Sequence, residues 1–201
     1  MSPTEQYVEV LTHLKSGQLA LLRKHAGQGL DQSVDGFDLF AGLWWPLRAK
    51  NQRAPRRGVA WLIAKLYAFR PVEHSPGQTL AWQLARCRKH KGPGEDAVAA
   101  VSDRRRRSEI DAARAVSDRR RRSEIDATIR PVAQRFDGLL TLPLAKVEPA
   151  LRWALDLIAS ERLKVDWVRL TNDLSIWERE TTRLNWAEEF LKSSKEERHV
   201  N

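Results

Sequence analysis

The stretch Val165-Asp166-Trp167-Val168-Arg169-Leu170-Thr171-Asn172-Asp173-Leu174-Ser175-Ile176-Trp177 decides the fold class. Asp166 carries a short acceptor suited to capping a helix, and Trp167, Leu170, Leu174 and Trp177 follow at i, i+3, i+7 and i+10, one apolar stripe of an α-helix. Such a stripe requires a partner. Trp186, Phe190 and Leu191 stand where a following antiparallel helix would supply it, and aromatic pairs of this size anchor cores. These tryptophans read as core rather than as ligand-stacking groups. Period-two alternation and hairpin turn pairs recur nowhere, so the fold is expected to be all-α.

Outward from this stretch the helical spacing repeats. Pro149 is a tolerated first-turn proline before Leu151, Leu155 and Ile158, with a helix end expected near Leu163. Val132, Phe136, Leu139 and Leu140 form one side of the helix that opens the C-terminal half, with Arg130 and Arg135 near its start. At the N-terminus, Thr4 is expected to cap a helix bearing Tyr7, Val10, Leu11 and Leu14, and Ser16-Gly17 to break it. A short helix over Gly17–Gly27 ends in Arg23 and Lys24, cations that either complement the helix dipole or meet phosphate. Residues 27–36 read as a loop, and the apolar run Phe37 to Trp44 is closed by Pro46. A basic connector follows with Arg48, Lys50, Arg53, Arg56 and Arg57. Val59, Leu62, Ile63 and Leu66 then predict a helix buried on that face and ended by Pro71.

Ser75-Pro76 reads as the start of a helix running from Gln78 to Lys91 with two faces. Leu80, Leu84 and Cys87 lie on one. Trp82, Arg86 and Lys89 lie on the other, and Arg88, His90 and Lys91 extend its charge. An aromatic interleaved with cations suits single-stranded nucleic acid, because bases stack while phosphates pair; the alternative is a solvated face with its tryptophan tucked against a neighbour.

Residues 92 to 96, Gly-Pro-Gly-Glu-Asp, mark a boundary. Beyond it Ala100–Ala112 and Ala115–Ala127 are the same thirteen residues, Ala-Val-Ser-Asp-Arg-Arg-Arg-Arg-Ser-Glu-Ile-Asp-Ala, at a period of 15. Two copies are too few for a solenoid, so the repeat reads as a local duplication in a charged connector, either a solvated helix or disordered linker or, with eight arginines in its two boxes, an electrostatic grip on phosphate. The expected organisation is an N-terminal helical bundle over 1–92, a connector over 93–127 and a C-terminal bundle over 128–201.

Composition narrows the function. Thirty-five Lys and Arg against 26 Asp and Glu give a formal charge of +9, which favours a polyanionic partner, nucleic acid before an anionic membrane surface. No apolar run approaches a membrane span, and Met-Ser-Pro-Thr-Glu-Gln has neither the basic start nor the apolar core of a secretory signal, so the expectation is a cytoplasmic protein. Cys87 is the only cysteine and the five histidines are scattered, which argues against a disulfide or a structural metal. Phosphate-binding glycine loops, nucleophile elbows, zinc-protease helices and dinucleotide fingerprints are all missing from the sequence. An enzyme, a cofactor and a metal are not expected.

Taken together, Gly17-Gln18-Leu19-Ala20-Leu21-Leu22-Arg23-Lys24, the Gln78 to Arg88 helix, Arg135-Phe136-Asp137-Gly138-Leu139-Leu140, and the Asp166 to Trp177 stretch with Trp186-Ala187-Glu188-Glu189-Phe190 resemble the CasB family. This is the small subunit of the type I-E CRISPR Cascade surveillance complex. The motifs match in order across nearly the whole chain, and the duplicated arginine box departs from the family between its two halves. The resemblance implies an all-helical, two-lobed, non-catalytic subunit of an antiviral defence complex. It further implies two copies placed head to tail beside the backbone subunits and the large subunit. Its nucleic-acid partners would be guide RNA and target DNA, held without sequence preference as the displaced non-target strand and the guide–target hybrid of the R-loop.

Within the matching motifs the candidate nucleic-acid-binding residues are Arg23, Lys24, Arg86, Arg88, Lys89, Arg130 and Arg135, with Arg179 and Arg183 between Trp177 and Trp186 as secondary candidates. Two other readings compete: a free-standing helical protein acting on duplex DNA, and a basic adaptor meeting acidic protein or anionic lipid.

Overall fold

The computed structural model describes residues 1–30, 34–87 and 132–196, with 34–37 and 193–196 described in backbone course alone. The duplicated arginine box and the 92–96 boundary lie outside the described residues. The helices are α1 (Pro3–Thr12), α2 (Ser16–Lys24), α3 (Val34–Lys50), α4 (Arg57–Phe69), α5 (Leu80–Cys87), α6 (residues 132–141), α7 (Glu148–Ser160), α8 (Trp167–Ser175) and α9 (Glu180–Glu196). A 3-10 turn over Leu144–Lys146 leads into α7. Among the described residues there is no strand, only one isolated parallel bridge between His74 and Val165. The fold is all-α.

Helix α4 is the hub. Sequence spacing predicts one buried face, yet every residue from Val59 to Ala68 is buried, Lys65 included. The reason is its surroundings: α2, α3, α7 and α8 all pack on it, so it has no outer face. Lys65 is tolerated because its ammonium reaches Glu148 Oε2 at 2.5 Å and the Gln28 carbonyl at 2.9 Å. Tyr7 from α1 donates its buried hydroxyl to the Ala60 carbonyl at 2.6 Å.

The stripe is buried as the spacing predicts, with Trp167, Leu170, Leu174 and Trp177 all at 2% exposure or less, but α8 ends at Ser175 and Trp177 stands just beyond it, in the turn toward α9. Asp166 caps the helix by accepting from the Arg169 amide at 2.9 Å. Trp186 and Phe190 of α9 are also buried, Trp186 edge-on to Trp177 at 4.9 Å and Phe190 stacked on Phe136 at 4.3 Å. Leu191, expected to share that face, is instead 55% exposed. One residue past Phe190 on a 3.6-residue helix, it is turned about 100° away from the core.

The two halves of the sequence are sewn together. Segment 72–78, between α4 and α5, runs beside Val165–Trp167: the Val165 amide donates to the Glu73 carbonyl, Ser75 to Val165, and Asp166 to Gln78. Trp167 Nε1 donates to the Val72 carbonyl at 2.8 Å. The two positive-φ glycines among the described residues serve the same end, where a side chain would strain the turn: Gly77 (φ 78°) gives its amide to Asp166 and Gly27 (φ 77°) gives its amide to Glu148, each at 2.8 Å. Helix α5 then packs along α9, and one continuous core draws on both halves.

Several boundaries differ from the sequence expectation. Ser2, not Thr4, caps α1: its hydroxyl accepts from Glu5 and the Glu5 carboxylate answers, with Pro3 at the first position. Thr4 is buried instead and bonds Asn172 on α8. Gly17 lies inside α2, and the break falls just before it, at 13–15. Helix α3 begins at Val34, within the expected loop, and continues through Pro46. The helix end holds because two of its side chains are tied to the next segment: the buried Trp44 donates Nε1 to the Pro55 carbonyl, and the half-buried Arg48 donates its guanidinium to those of Gln52 and Ala54. Ser75-Pro76 forms a turn rather than a helix start, and α5 begins at Leu80 after Thr79, whose hydroxyl accepts from the Trp82 amide.

Candidate nucleic-acid interface

The candidate cations follow from where the helices put their outer faces. On α5 every residue but two is buried, and those two are Trp82 and Arg86, one turn apart. The Arg86 guanidinium lies 4.9 Å from the Trp82 ring centroid, the pairing that their spacing predicts. Arg135, exposed on α6, lies 5.4 Å from the ring of Trp153 on α7. A guanidinium held on an aromatic face is ordered before it meets a ligand, yet keeps its N–H edges for phosphate oxygens.

Arg23 and Lys24 are exposed in the last turn of α2. Arg23 donates Nε to the Ala68 carbonyl at 2.5 Å, so one edge of its guanidinium completes the end of α4. That end gathers more charge. Phe69 carries Arg152 at 4.1 Å and Arg70 at 5.8 Å from its ring, and Arg70 is paired with Asp156. Beside it an open cleft of about 330 Å³ is rimmed by Arg70, Arg162 and Lys164, the last paired with Glu73 at 2.6 Å. Three elements thus meet in one arginine-rich surface around Phe69.

Of the remaining candidates, Arg179 is exposed between α8 and α9. Arg183 is half-buried, points Nη1 at the Leu140 carbonyl at 3.5 Å, and buries an Nε without a partner among the described residues. Arg88, Lys89 and Arg130 lie outside the described residues.

Arg70, Arg152, Arg162 and Lys164 were not singled out by sequence reasoning. Their signal was faint but present: the stripe Leu151, Leu155, Ile158 leaves 152, 153 and 156 off the core-facing side of α7, which puts Arg152 at its margin. Clustering with Arg23 and Phe69 is tertiary. By contrast Arg169 is a structural cation: Asp173 raises its pKa, opposed by partial burial, and Glu189 adds to the hold. No group of three or more His, Cys, Asp or Glu side chains able to hold a metal occurs among the described residues. None of their helices is long and apolar enough to cross a membrane.

Residues 18–191 match the family model of the CRISPR-associated protein Cse2. No curated protein matches the chain. Among solved structures, CasB from M. ruber superposes with a TM-score of 0.65 at 19% identity, covering 100% of this chain and 98% of that one. CasB from Thermus thermophilus gives 0.60 at 22% identity over 96% and 99%, and CasB from Thermobifida fusca 0.58 at 15% over 94% of each. At these identities the likeness is one of fold.

Proposed function

The chain belongs to the CRISPR-associated Cse2 (CasB) family, whose members are structural small subunits of the Cascade complex, and from that premise we propose that it clamps unwound target DNA. Its basic surface holds the displaced non-target strand and braces the guide–target hybrid, without catalysis and without reading sequence. In the cytoplasm it would sit with a second copy, head to tail, against the backbone and large subunits. The halves 1–92 and 128–201 would be joined there by the duplicated arginine connector.

One observation carries the reading: Arg86, Arg135 and Arg152 each lie against an aromatic ring at the surface of a chain with a net charge of +9. R-loop formation is close to energetically balanced, so a few phosphate contacts set its lifetime. Arg23, Lys24, Arg88, Lys89, Arg130, Arg179 and Arg183 are proposed to extend the same track. Flanking arginines serve duplex DNA equally well, but the family assembles around a guide RNA, which favours the unwound strand.

The test is the dissociation half-life of target DNA from a reconstituted type I-E complex, assembled with the chain, without it, and with Arg86→Glu plus Arg135→Glu. Loss of the chain is expected to shorten the half-life. The double reversal should reproduce that by at least about tenfold, since one charge-assisted contact contributes about 1.5 kcal/mol or more. An unchanged half-life in both arms would defeat the clamp.

A further inference from the structure

Trp45 is the one exposed tryptophan among the described residues, at 62% accessibility. It stands on α3. Its neighbours along that face are Gly42 and Ala49, both exposed, and a Cβ built at Gly42 would meet nothing within 4 Å. The ring is therefore uncovered from either side along the helix.

Beneath it the support is rigid. Trp44, itself 9% exposed, meets Trp45 at 6.0 Å between ring centroids, stacks on Phe40 at 5.6 Å, and is fixed by the hydrogen bond of its indole to the Pro55 carbonyl at 2.8 Å. An apolar recess of about 160 Å³ opens between Phe40, Trp44, Trp45 and Arg57.

Charge says what covers this platform. From Leu39 to Val72 the chain carries seven Lys and Arg and no Asp or Glu. Lys50 at the end of α3, Arg53 and Arg56 in the loop that follows and Arg57 at the start of α4 are exposed beyond Trp45 in the chain, and Arg48 orders that loop by bonding the carbonyls of Gln52 and Ala54. The nearest acid along α3 is Asp38, two turns away, about 10 Å along the axis. A protein-docking tryptophan would share its exposed face with other large apolar side chains; here Arg57 lines the recess beside the ring, and no large apolar side chain is exposed from Pro46 to Gly58.

We infer that Trp45 is a base-stacking platform for single-stranded nucleic acid, with Lys50, Arg53 and Arg56 taking the flanking phosphates. The inference rests on the reading that this protein meets unwound strands, and adds a second contact region. An unpaired base stacks on any aromatic face regardless of its identity, which matches a role that needs no sequence readout. The strand is either the displaced DNA or unpaired guide RNA, since both offer a π-face and phosphates.

The experiment measures binding of the full-length chain to a fluorescent oligothymidylate, to an abasic DNA strand of the same length, and to oligouridylate. The variants are Trp45→Leu, which keeps apolar bulk but removes the π-face, and Trp45→Phe, which restores a ring. The expected result is on the order of tenfold weaker oligothymidylate binding for W45L, within the range of one base–aromatic stack. W45F should recover most of it, and the abasic strand should show no difference between variants. The slope of log affinity against log salt should stay as in the parent, because no phosphate contact is lost; in Lys50→Gln/Arg53→Gln it should fall by about 0.7 per contact. A larger loss on oligothymidylate would assign the displaced DNA, and a larger one on oligouridylate the guide. Wild-type affinity for W45L, or an equal loss on the abasic strand, would overturn the inference. So would intact strand binding by a W45L chain that fails to enter the complex, which would make Trp45 a protein-docking residue. If the parent chain binds none of the strands, the clamp reading itself fails first, and this is seen without any variant.

Discussion

Five of the eight tryptophans and the other three occupy opposite environments. Trp44, Trp61, Trp167, Trp177 and Trp186 are buried, and each donates its indole N–H, to Pro55, Gln28, Val72 and Leu142 carbonyls and to Asp173 Oδ2. Trp82 and Trp153 are half-buried with an arginine on the ring, and Trp45 is exposed beside Arg57. Burial of an indole requires a partner for its N–H, or the unmet donor offsets much of the gain. An indole at the surface is free of that requirement and offers its face to a cation or a base. The same residue type is therefore scaffold in one set and contact surface in the other.

The sharpest test removes one ring from each set. Trp167→Ala should cost about 3–5 kcal/mol by denaturant unfolding, from lost transfer energy and the cavity left beside Tyr67, which meets it edge-on at 5.3 Å. Trp82→Ala should cost about 1 kcal/mol or less while weakening strand binding. Equal costs would erase the distinction. Next comes the one cation placed over a buried indole among the described residues, Lys65, 5.6 Å from the Trp61 ring. Unlike the surface arginines it depends on a carboxylate, so Glu148→Ala should destabilise by about 3–5 kcal/mol by stranding the ammonium. Lys65→Met with Glu148→Leu should recover most of that loss, measured in the same unfolding assay.

Tyr7 extends the rule to a buried hydroxyl. Burial pushes its phenol pKa up, so above the ordinary phenol range near 10 the unfolded chain releases its proton first. Its contribution is whole below about pH 10 and should fall by about 1.4 kcal/mol per pH unit above it. Tyr7→Phe should flatten that alkaline loss, leaving the share of Tyr67, also raised by burial. The smallest effect on stability is expected at the surface: Arg86→Gln should change unfolding by about 0.5 kcal/mol or less, yet lower the salt slope of single-strand binding by about 0.7. A large stability loss with an unchanged slope would move Arg86 into the scaffold.

The helices of the C-terminal half were legible because their stripes are long and their caps local: Asp166 and the Leu151, Leu155, Ile158 spacing need nothing beyond neighbours within a few turns. Pro46 and Thr4 misled for the same reason in reverse. A proline normally closes a helix and a threonine near the start normally caps one, but Trp44 and Arg48 hold the α3 end from the following loop, and Thr4 is drawn inward by Asn172, 168 residues away. The pair Trp82 and Arg86 was legible as an i, i+4 contact. The arginines around Phe69 were not, because α2, the cap of α4 and α7 each contribute one, Arg23, Arg70 and Arg152, and no local spacing links them.

Sequence alone therefore determined the all-helical class, the buried stripes, the net charge and the motifs that resemble CasB, since each depends on periodicity or composition within a short window. Tertiary structure alone decided which tryptophans face water, that α4 is enclosed on all sides, and how Arg23 comes to lie with Arg152. Those outcomes depend on which distant face arrives to cover a residue, and a stripe specifies that it needs a partner without specifying which one.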